Sequence, residues 1–491
     1  MIWRFMPLLL AAALLITPHG RVWGQDSTAP LTLADAIVAV LVHNPELKAL
    51  AWEAPAASAR ATQAALRLNP ELAIEVENIG IGDSGRRTDA RAFGLTPGLA
   101  PLVEFERGRE SGSDGFLEEA EFTLRLSQIF ELGGKRVARM EAAEKDISVA
   151  AWDYEVARYE IVAETLARFV AVLAAQERVR EAEGLAQLGG ELAKTVSGQV
   201  DAGRVSPLEL RRAEAEAERL RIDVEAAQAG QHQARLRLAA LWGATEPTFD
   251  SAAGDLESLP QIPELVTLRE ASREHPLLQR WTTELARRDA VWRLERTGAV
   301  PDLTLTLGYR AESVPDERAR GYALGTEGFR TWRSSSDARD DWNHSLVLEA
   351  SIPLPIFNRN QGSVREAEVR AHQAADQQRA AQTRLETALA EQHSAATAAL
   401  AQASALESRV LPELEAAFAL TREGYEAGKF DFLAVLDADR ALRNARIGAT
   451  EARIAAHLAL AGLEGITGAA LSGLTTNTPP ANGVIEEEYQ P

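Results

Sequence analysis

Histidine is the side chain best able to hold a metal or move a proton near neutral pH, so the eight histidines of this chain are the first candidates for chemistry. They are scattered. His43 and His275 stand just before Pro45 and Pro276, His232, His372, His393 and His457 stand singly on helical stretches, and His344 lies near the start of a strand. None pairs with a second histidine at the four-residue spacing that puts two imidazoles on one helix face. The chain contains no cysteine, which removes thiolate ligands, catalytic thiols, disulfides and a lipid-carrying N-terminal cysteine. There is no Gly-rich phosphate loop, Ser-x-x-Lys pair or nucleophile elbow. The many Asp and Glu residues on helical stretches read as solvated faces. The expectation is therefore no catalytic residue, no bound metal, no cofactor and no enzyme.

A net charge of -20 argues against nucleic acid, whose phosphates call for basic patches. Arg4 is followed by an apolar run from Met6 to Ile16, and Val22-Trp23-Gly24 precede a polar Gln25. This predicts a secretory leader over residues 1–24. The run is shorter than the roughly 20 apolar residues of a spanning helix. Charges interrupt every later helical stretch, so any membrane entry must use strands.

The elements that could position a site come in two copies. Pro45 and Pro70 are 25 residues apart, as are Pro276 and Pro301, and each second proline opens a strand-like run. Gly203 lies 40 residues before Gly243, and Gly428 lies 40 before Gly468. Each copy reads helix, strand, long polar loop, strand, very long helix, Gly turn, helix. The first spans Leu33 to Leu68, Leu72 to Asn78, Glu121 to Phe130, Lys135 to Val200 and Ser206 to Trp242. The second spans Glu264 to Arg296, Leu303 to Arg310, Ser345 to Ile352, Gly362 to Glu426 and Phe432 to Ile466. The predicted organisation is residues 25–258 as first repeat, 259–470 as second, and a polar tail over 471–491. The chemistry of these segments predicts a mainly α chain with a small β portion.

After each Gly turn a sustained 3.5-residue period signals coiled-coil packing. Leu442, Ala445, Ala449, Ala452, Ala456, Ala459 and Leu463 keep it, and Ala217, Leu220, Val224, Ala227, Gln231, Ala234 and Leu238 match them at an offset of 225. Pro412, and Gly189-Gly190 in the first copy, mark changes of curvature or packing in the two long helices. In the strands the period is two: Leu303, Leu305, Leu307 and Tyr309 alternate with Thr304, Thr306, Gly308 and Arg310. Such alternation suits a barrel with lipid outside and water inside, and equally a half-buried sheet; the leader selects the barrel. Four strands cannot close one, because lipid tolerates no open edge. Three chains supply twelve strands, the economical count, although spacing alone allows a dimer or tetramer. Polar loops Gly80 to Glu118 and Ala311 to Asn343 would face the exterior, with Trp332 and Trp342 near the membrane rim or packed in the loops.

The duplicated plan, both Gly turns and the two strand-to-helix junctions, Leu126-Ser127-Gln128-Ile129-Phe130-Glu131-Leu132-Gly133-Gly134-Lys135-Arg136 and Ile352-Pro353-Leu354-Pro355-Ile356-Phe357-Asn358-Arg359-Asn360-Gln361-Gly362, resemble the TolC-like outer-membrane efflux family over Leu31 to Gly468. The junctions look like those of its heavy-metal (cobalt-zinc-cadmium type) cation branch. The resemblance implies a homotrimer with a shared twelve-stranded outer-membrane β-barrel, an α-helical periplasmic barrel ending in a coiled-coil tip, and docking to a membrane-fusion adaptor and an inner-membrane RND-type pump. It implies that Gly203, Arg204, Val205 and Ser206, with Gly428, Lys429 and Phe430, form the tip that meets the adaptor. It places Asp437 at an acidic gate position, with Asp431 or Asp439 as helpers, whereas the neighbouring acidic position is Ala434. It also marks Gly133, Gly134, Pro353, Pro355, Asn360 and Gly362 as junction residues. A drug-efflux or type I secretion duct of the same fold, or an exported scaffold without a pore, are the competing readings.

Overall fold

The computed structural model describes residues 30–77, 90–93, 104–107, 120–259, 261–313, 319–325, 328–334 and 342–468. The expected leader, the polar tail, much of the two polar loops and the side chain of Trp332 lie outside the described residues. In chain order the elements are α1 (Leu33–His43), α2 (Pro45–Ala51), α3 (Glu53–Ala65), β1 (Glu71–Glu77), β2 (Ala90–Phe93), β3 (Glu104–Arg107), β4 (Glu121–Phe130), α4 (Lys135–Asp201) and α5 (Pro207–Ala239). They continue with α6 (Leu265–Ala271), α7 (Pro276–Thr297), β5 (Leu303–Ser313), β6 (Ala319–Gly325), β7 (Gly328–Ser334), β8 (Trp342–Ser351), α8 (Gln361–Ala405), α9 (Leu411–Glu426) and α10 (Phe432–Thr467). The chain is mainly helical with a small β portion, as its patterning predicts.

Among the differences from the sequence expectation, three helix breaks have a local reason at a proline. The opening helix of each copy is broken at the residue before a proline, which is steered away from helical ψ. Asn44 has ψ 123 and caps α2 by accepting from the Leu47 N–H at 2.8 Å. His275 has ψ 132, and its Nδ1 accepts from the Leu277 N–H at 3.1 Å, so the second copy uses a histidine where the first uses an asparagine. The second long helix is interrupted by a π turn, Leu406–Val410, immediately before Pro412. A proline lacks the N–H for its i-4 carbonyl and its ring collides with it, and the wider turn absorbs the misfit. In the first copy α4 runs through Gly189-Gly190 unbroken for 67 residues. There the glycine serves packing: a Cβ on Gly189 would stand 2.5 Å from Leu220 Cδ1 of α5.

The polar loops also contain strands. β2, β3, β6 and β7 form a separate antiparallel sheet in the order β2-β3-β6-β7. The larger sheet has the order β1-β4-β5-β8, antiparallel throughout.

The chain divides into two compact units that cut across the repeats. The strand unit comprises Ser58–Asp146 and Ala286–His372, and the helical unit Met1–Ala57, Ile147–Leu285 and Gln373–Pro491. In the helical unit, α1, α4, α5 and α10 pack Val40, Phe169, Leu238 and Ala461, all fully buried, into one cluster. Removing one large side chain such as Phe169 from water is worth about 1.5–3 kcal/mol. A second cluster joins Val196, Ala213, Tyr425, Phe432, Val435 and Leu442, and so ties the ends of α4 and α9 to the starts of α5 and α10. On the α10 seam Leu442, Ala449, Ala452, Ala456, Ala459 and Leu463 are buried, while Ala445 is half-buried.

Candidate functional site

The two Gly turns are built alike. After α4, Gly203 has φ +69; its N–H donates to Val200 O and the Arg204 N–H to Gln199 O, both at 2.8 Å. After α9, Gly428 has φ +71; its N–H donates to Tyr425 O at 2.9 Å and the Lys429 N–H to Gly424 O at 2.7 Å. Both are Schellman closures, whose left-handed residue costs a glycine nothing. The chain then restarts under side-chain caps: Ser206 accepts from the Leu208 N–H at 3.2 Å, and Asp431 from the Ala434 N–H at 2.9 Å. Gly203, Arg204, Ser206, Gly428, Lys429 and Phe430 are exposed and Val205 is half-buried. Phe430 folds its ring over Gly424, where a Cβ would stand 2.2 Å from the ring. Tyr425 is buried beneath, its hydroxyl at 3.5 Å from Glu209 of α5. Burial, then Glu209, raises the Tyr425 phenol to about 12.

The three candidate gate aspartates separate. Asp437 is exposed on α10, Ala434 is half-buried, and Asp431 is exposed and engaged as the α10 cap. Asp439 is buried, and so is not among the carboxylates open to solvent: it pairs with Arg443 Nη2 at 2.8 Å, one turn further along α10. The same nitrogen reaches Glu216 of α5 at 2.8 Å, and Arg219 holds Glu216 at 3.0 Å. Hydrogen bonding to Arg219, then to Arg443, holds the Glu216 carboxyl below the usual range; burial pushes that of Asp439 above it, against the pull of Arg443. This cluster was not legible as a site. Its one sequence signal is that Asp439 stands three residues before Leu442, on the seam stripe.

In the larger sheet, register puts one apolar row after another on a single face. Leu72, Leu126, Leu307 and Leu348 align across all four strands, as do Ile74, Leu124, Tyr309 and Leu346. This face is uncovered: Leu72 is 62% exposed, Ile74 70%, Leu346 74% and Leu348 79%. The opposite face carries Glu71, Glu75, Glu77, Glu121, Glu312 and Glu349 against Arg125 and Arg310. Arg125 pairs with Glu75 at 3.0 Å and Arg310 with Glu121 at 2.6 Å. Trp342 opens β8 with its ring 6.2 Å from that of Phe122. Among the described residues no helix is long and apolar enough to cross a membrane, and no group of three or more His, Asp or Glu side chains is placed to hold a metal.

At the junctions, Gly133 and Gly134 have φ +70 and +76, and Asn360 has φ +59. Asn360 Nδ2 donates to Glu295 O and Oε2, both at 2.8 Å. Pro353 and Gly362 are exposed and Pro355 is half-buried.

With that geometry in hand, the profile of the outer membrane efflux protein family matches residues 36–244 and 267–469. The chain is 32% identical over 454 residues to the cobalt-zinc-cadmium resistance protein CzcC of Cupriavidus metallidurans, covering 90% of this chain and 94% of that one. It is 26% identical to the nickel-cobalt-cadmium resistance protein NccC of Alcaligenes xylosoxydans xylosoxydans, over 70% of each. Among solved structures, CusC superimposes with a TM-score of 0.65 at 17% identity, over 91% of this chain and 96% of that one. The outer-membrane channel OprN superimposes with a TM-score of 0.65 at 18% identity, over 89% and 90%. At those identities the two structures speak for the fold.

Proposed function

The chain belongs to the outer membrane efflux protein family, and from that premise we propose that it is one subunit of a trimeric channel conducting heavy-metal cations out through the outer membrane. One observation carries this reading: among the described residues, a four-stranded sheet has an uncovered apolar face, a polar opposite face and two unpaired edges. Lipid tolerates no such edge. Three antiparallel pairings separate β1 from β8, so the two edges run in opposite directions. Edge β8 of one copy therefore meets edge β1 of the next antiparallel, and identical chains close a ring. Three copies give twelve strands, between the eight whose interior fills with side chains and the sixteen that leave a wide aqueous channel.

The cargo reading rests on charge and kinship. Turned inward, six carboxylates against two guanidiniums per chain favour cations over anions in a confined lumen, and the relatives' names are those of metal-resistance proteins. The metal is cargo, moved without chemistry by this chain; an inner-membrane RND-type pump supplies the work. A periplasmic membrane-fusion adaptor docks at the exposed turns Gly203 to Ser206 and Gly428 to Phe430. Asp437 of each copy faces the narrow axis, and three like charges there both restrict the closed pore and attract cations.

Planar-bilayer recording on the detergent-purified protein, with its mass measured in the same detergent, tests the reading. A trimer that conducts and prefers cations supports it. A protein that leaves the membrane in high salt, stays monomeric and never conducts refutes it.

A further inference from the structure

The link from β8 to α8 is the most exposed apolar segment described: Leu354 is 75% exposed, Ile356 63% and Phe357 91%. Its counterpart in the first repeat, the link from β4 to α4, is less exposed, with Leu132 at 39%, and the way it is seated is a template. Gly133 lies so close to Val300 that a Cβ on it would stand 2.7 Å from Val300 Cβ. The Leu132 N–H donates to Asp302 Oδ1 at 3.1 Å, and Lys135 Nζ reaches the same oxygen at 2.7 Å. The first link thus seats on the helix-to-strand connection that enters β5, the strand paired with β4.

The duplication carries this geometry to the second link. The connection entering β5, Val300-Pro301-Asp302-Leu303, corresponds at an offset of 231 to Asn69-Pro70-Glu71-Leu72, which enters β1. Within one chain β1 lies at the far edge of the sheet from β8. Only another copy, with its β1 against this β8, can bring the two together. The chemistry repeats as well: acidic Asp302 corresponds to acidic, exposed Glu71, and the second link offers exposed Arg359 in the part of Lys135. Apolar surface is ready on the receiving side, with Leu66 53% and Leu68 45% exposed.

We infer that Leu354, Ile356 and Phe357 of each copy pack on Leu66 and Leu68 of the next copy, with Arg359 paired to its Glu71, as a seam below the barrel. The occupant of this apolar surface is a second copy of the chain, and a phospholipid surface is the competitor. The seam rests on the oligomer proposed above. It adds that a connecting loop, besides the strand edges, holds neighbouring copies together.

The absence of cysteine makes disulfide mapping clean. Phe357→Cys combined with Leu68→Cys, oxidised in outer-membrane vesicles, is expected to give disulfide-linked multimers of up to three chains. Leu348→Cys paired in turn with Leu72→Cys, Ile74→Cys and Val76→Cys reports the strand edge independently. Linking at the edge with none at the junction overturns the seam and leaves the oligomer standing. Linking at neither, in a protein that is monomeric in detergent, overturns both. As a second arm, Arg359→Glu lowers the temperature at which the oligomer dissociates, and Glu71→Arg added to it restores that temperature. A nitroxide on Phe357→Cys that collides with oxygen as freely as one in the lipid phase assigns the surface to phospholipid and sinks the inference.

Discussion

Adjacent positions on β8 should respond oppositely to the same charge. Leu348 stands in the middle of the outward rows, aligned with Leu307, Leu126 and Leu72, and is 79% exposed; Val347 is on the opposite face, beside Gly308. If the apolar face meets hydrocarbon, Leu348→Arg costs about 2–4 kcal/mol at the bilayer midplane. The proposed trimer carries the substitution three times, so the total is roughly 6–12 kcal/mol if the sites act independently. Val347→Arg enters the watery, acidic face two positions from Glu349, and should stay within about 0.5 kcal/mol per chain. Urea titration of folding into phospholipid liposomes, followed by tryptophan fluorescence, reads both. A Leu348→Arg protein as stable as Val347→Arg, or more so, would mean that the outward rows do not face lipid. The sheet would then not be the wall of a lipid-facing barrel.

Three further outcomes follow from the helical unit. Arg443→Met leaves Asp439 and Glu216 without the buried guanidinium between them and should cost about 3–5 kcal/mol in denaturant unfolding, whereas Arg440→Met, on the exposed side, should be nearly silent. Fully buried His457 has its pKa lowered, chiefly by burial. The folded state therefore resists the proton that the unfolded chain accepts near its ordinary 6.5, and stability falls as pH drops below that value. His457→Gln should flatten that limb in pH-dependent melting. Asp437→Ala should raise single-channel conductance and shift the reversal potential in a salt gradient toward weaker cation preference; unchanged values for both would remove Asp437 from the gate.

The parts of the fold legible in the sequence are those set by one residue's own backbone. Gly203, Gly243, Gly428 and Gly468 all take φ between +69 and +78, and their shared spacing of 40 announces this because only glycine reaches that region without strain. The β4 boundaries were legible because alternation is a local signal. Helix breaks were harder. Asn44 and His275 sit in stretches of good helical composition, and what ends the helix is the next residue's ring, rescued by a cap from two different side-chain types. The strands β2 and β3 escaped notice because Ala90–Phe93 and Glu104–Arg107 are four residues each, too short for a period of two to declare itself.

The three candidate gate aspartates show why a site is harder to read than a fold. Asp431, Asp437 and Asp439 are the same residue type within nine positions, yet one caps a helix, one is exposed and one is buried against Arg443. Helical phase alone distinguishes the last two: Asp439 is three residues before Leu442, on the buried stripe, and Asp437 is five before it, off that stripe. Phase does not say that a buried aspartate can be tolerated. That depends on Arg443, which Asp439 shares with Glu216, and on Arg219, which holds Glu216 in turn; Glu216 and Arg219 lie more than 200 residues earlier. A buried carboxylate without such partners would cost several kcal/mol, so the tertiary pairing decides whether an acidic side chain on this helix can be part of the packing. The exposed Asp437 has no such constraint from its own chain, which in the proposed trimer leaves it available to respond to the two other copies.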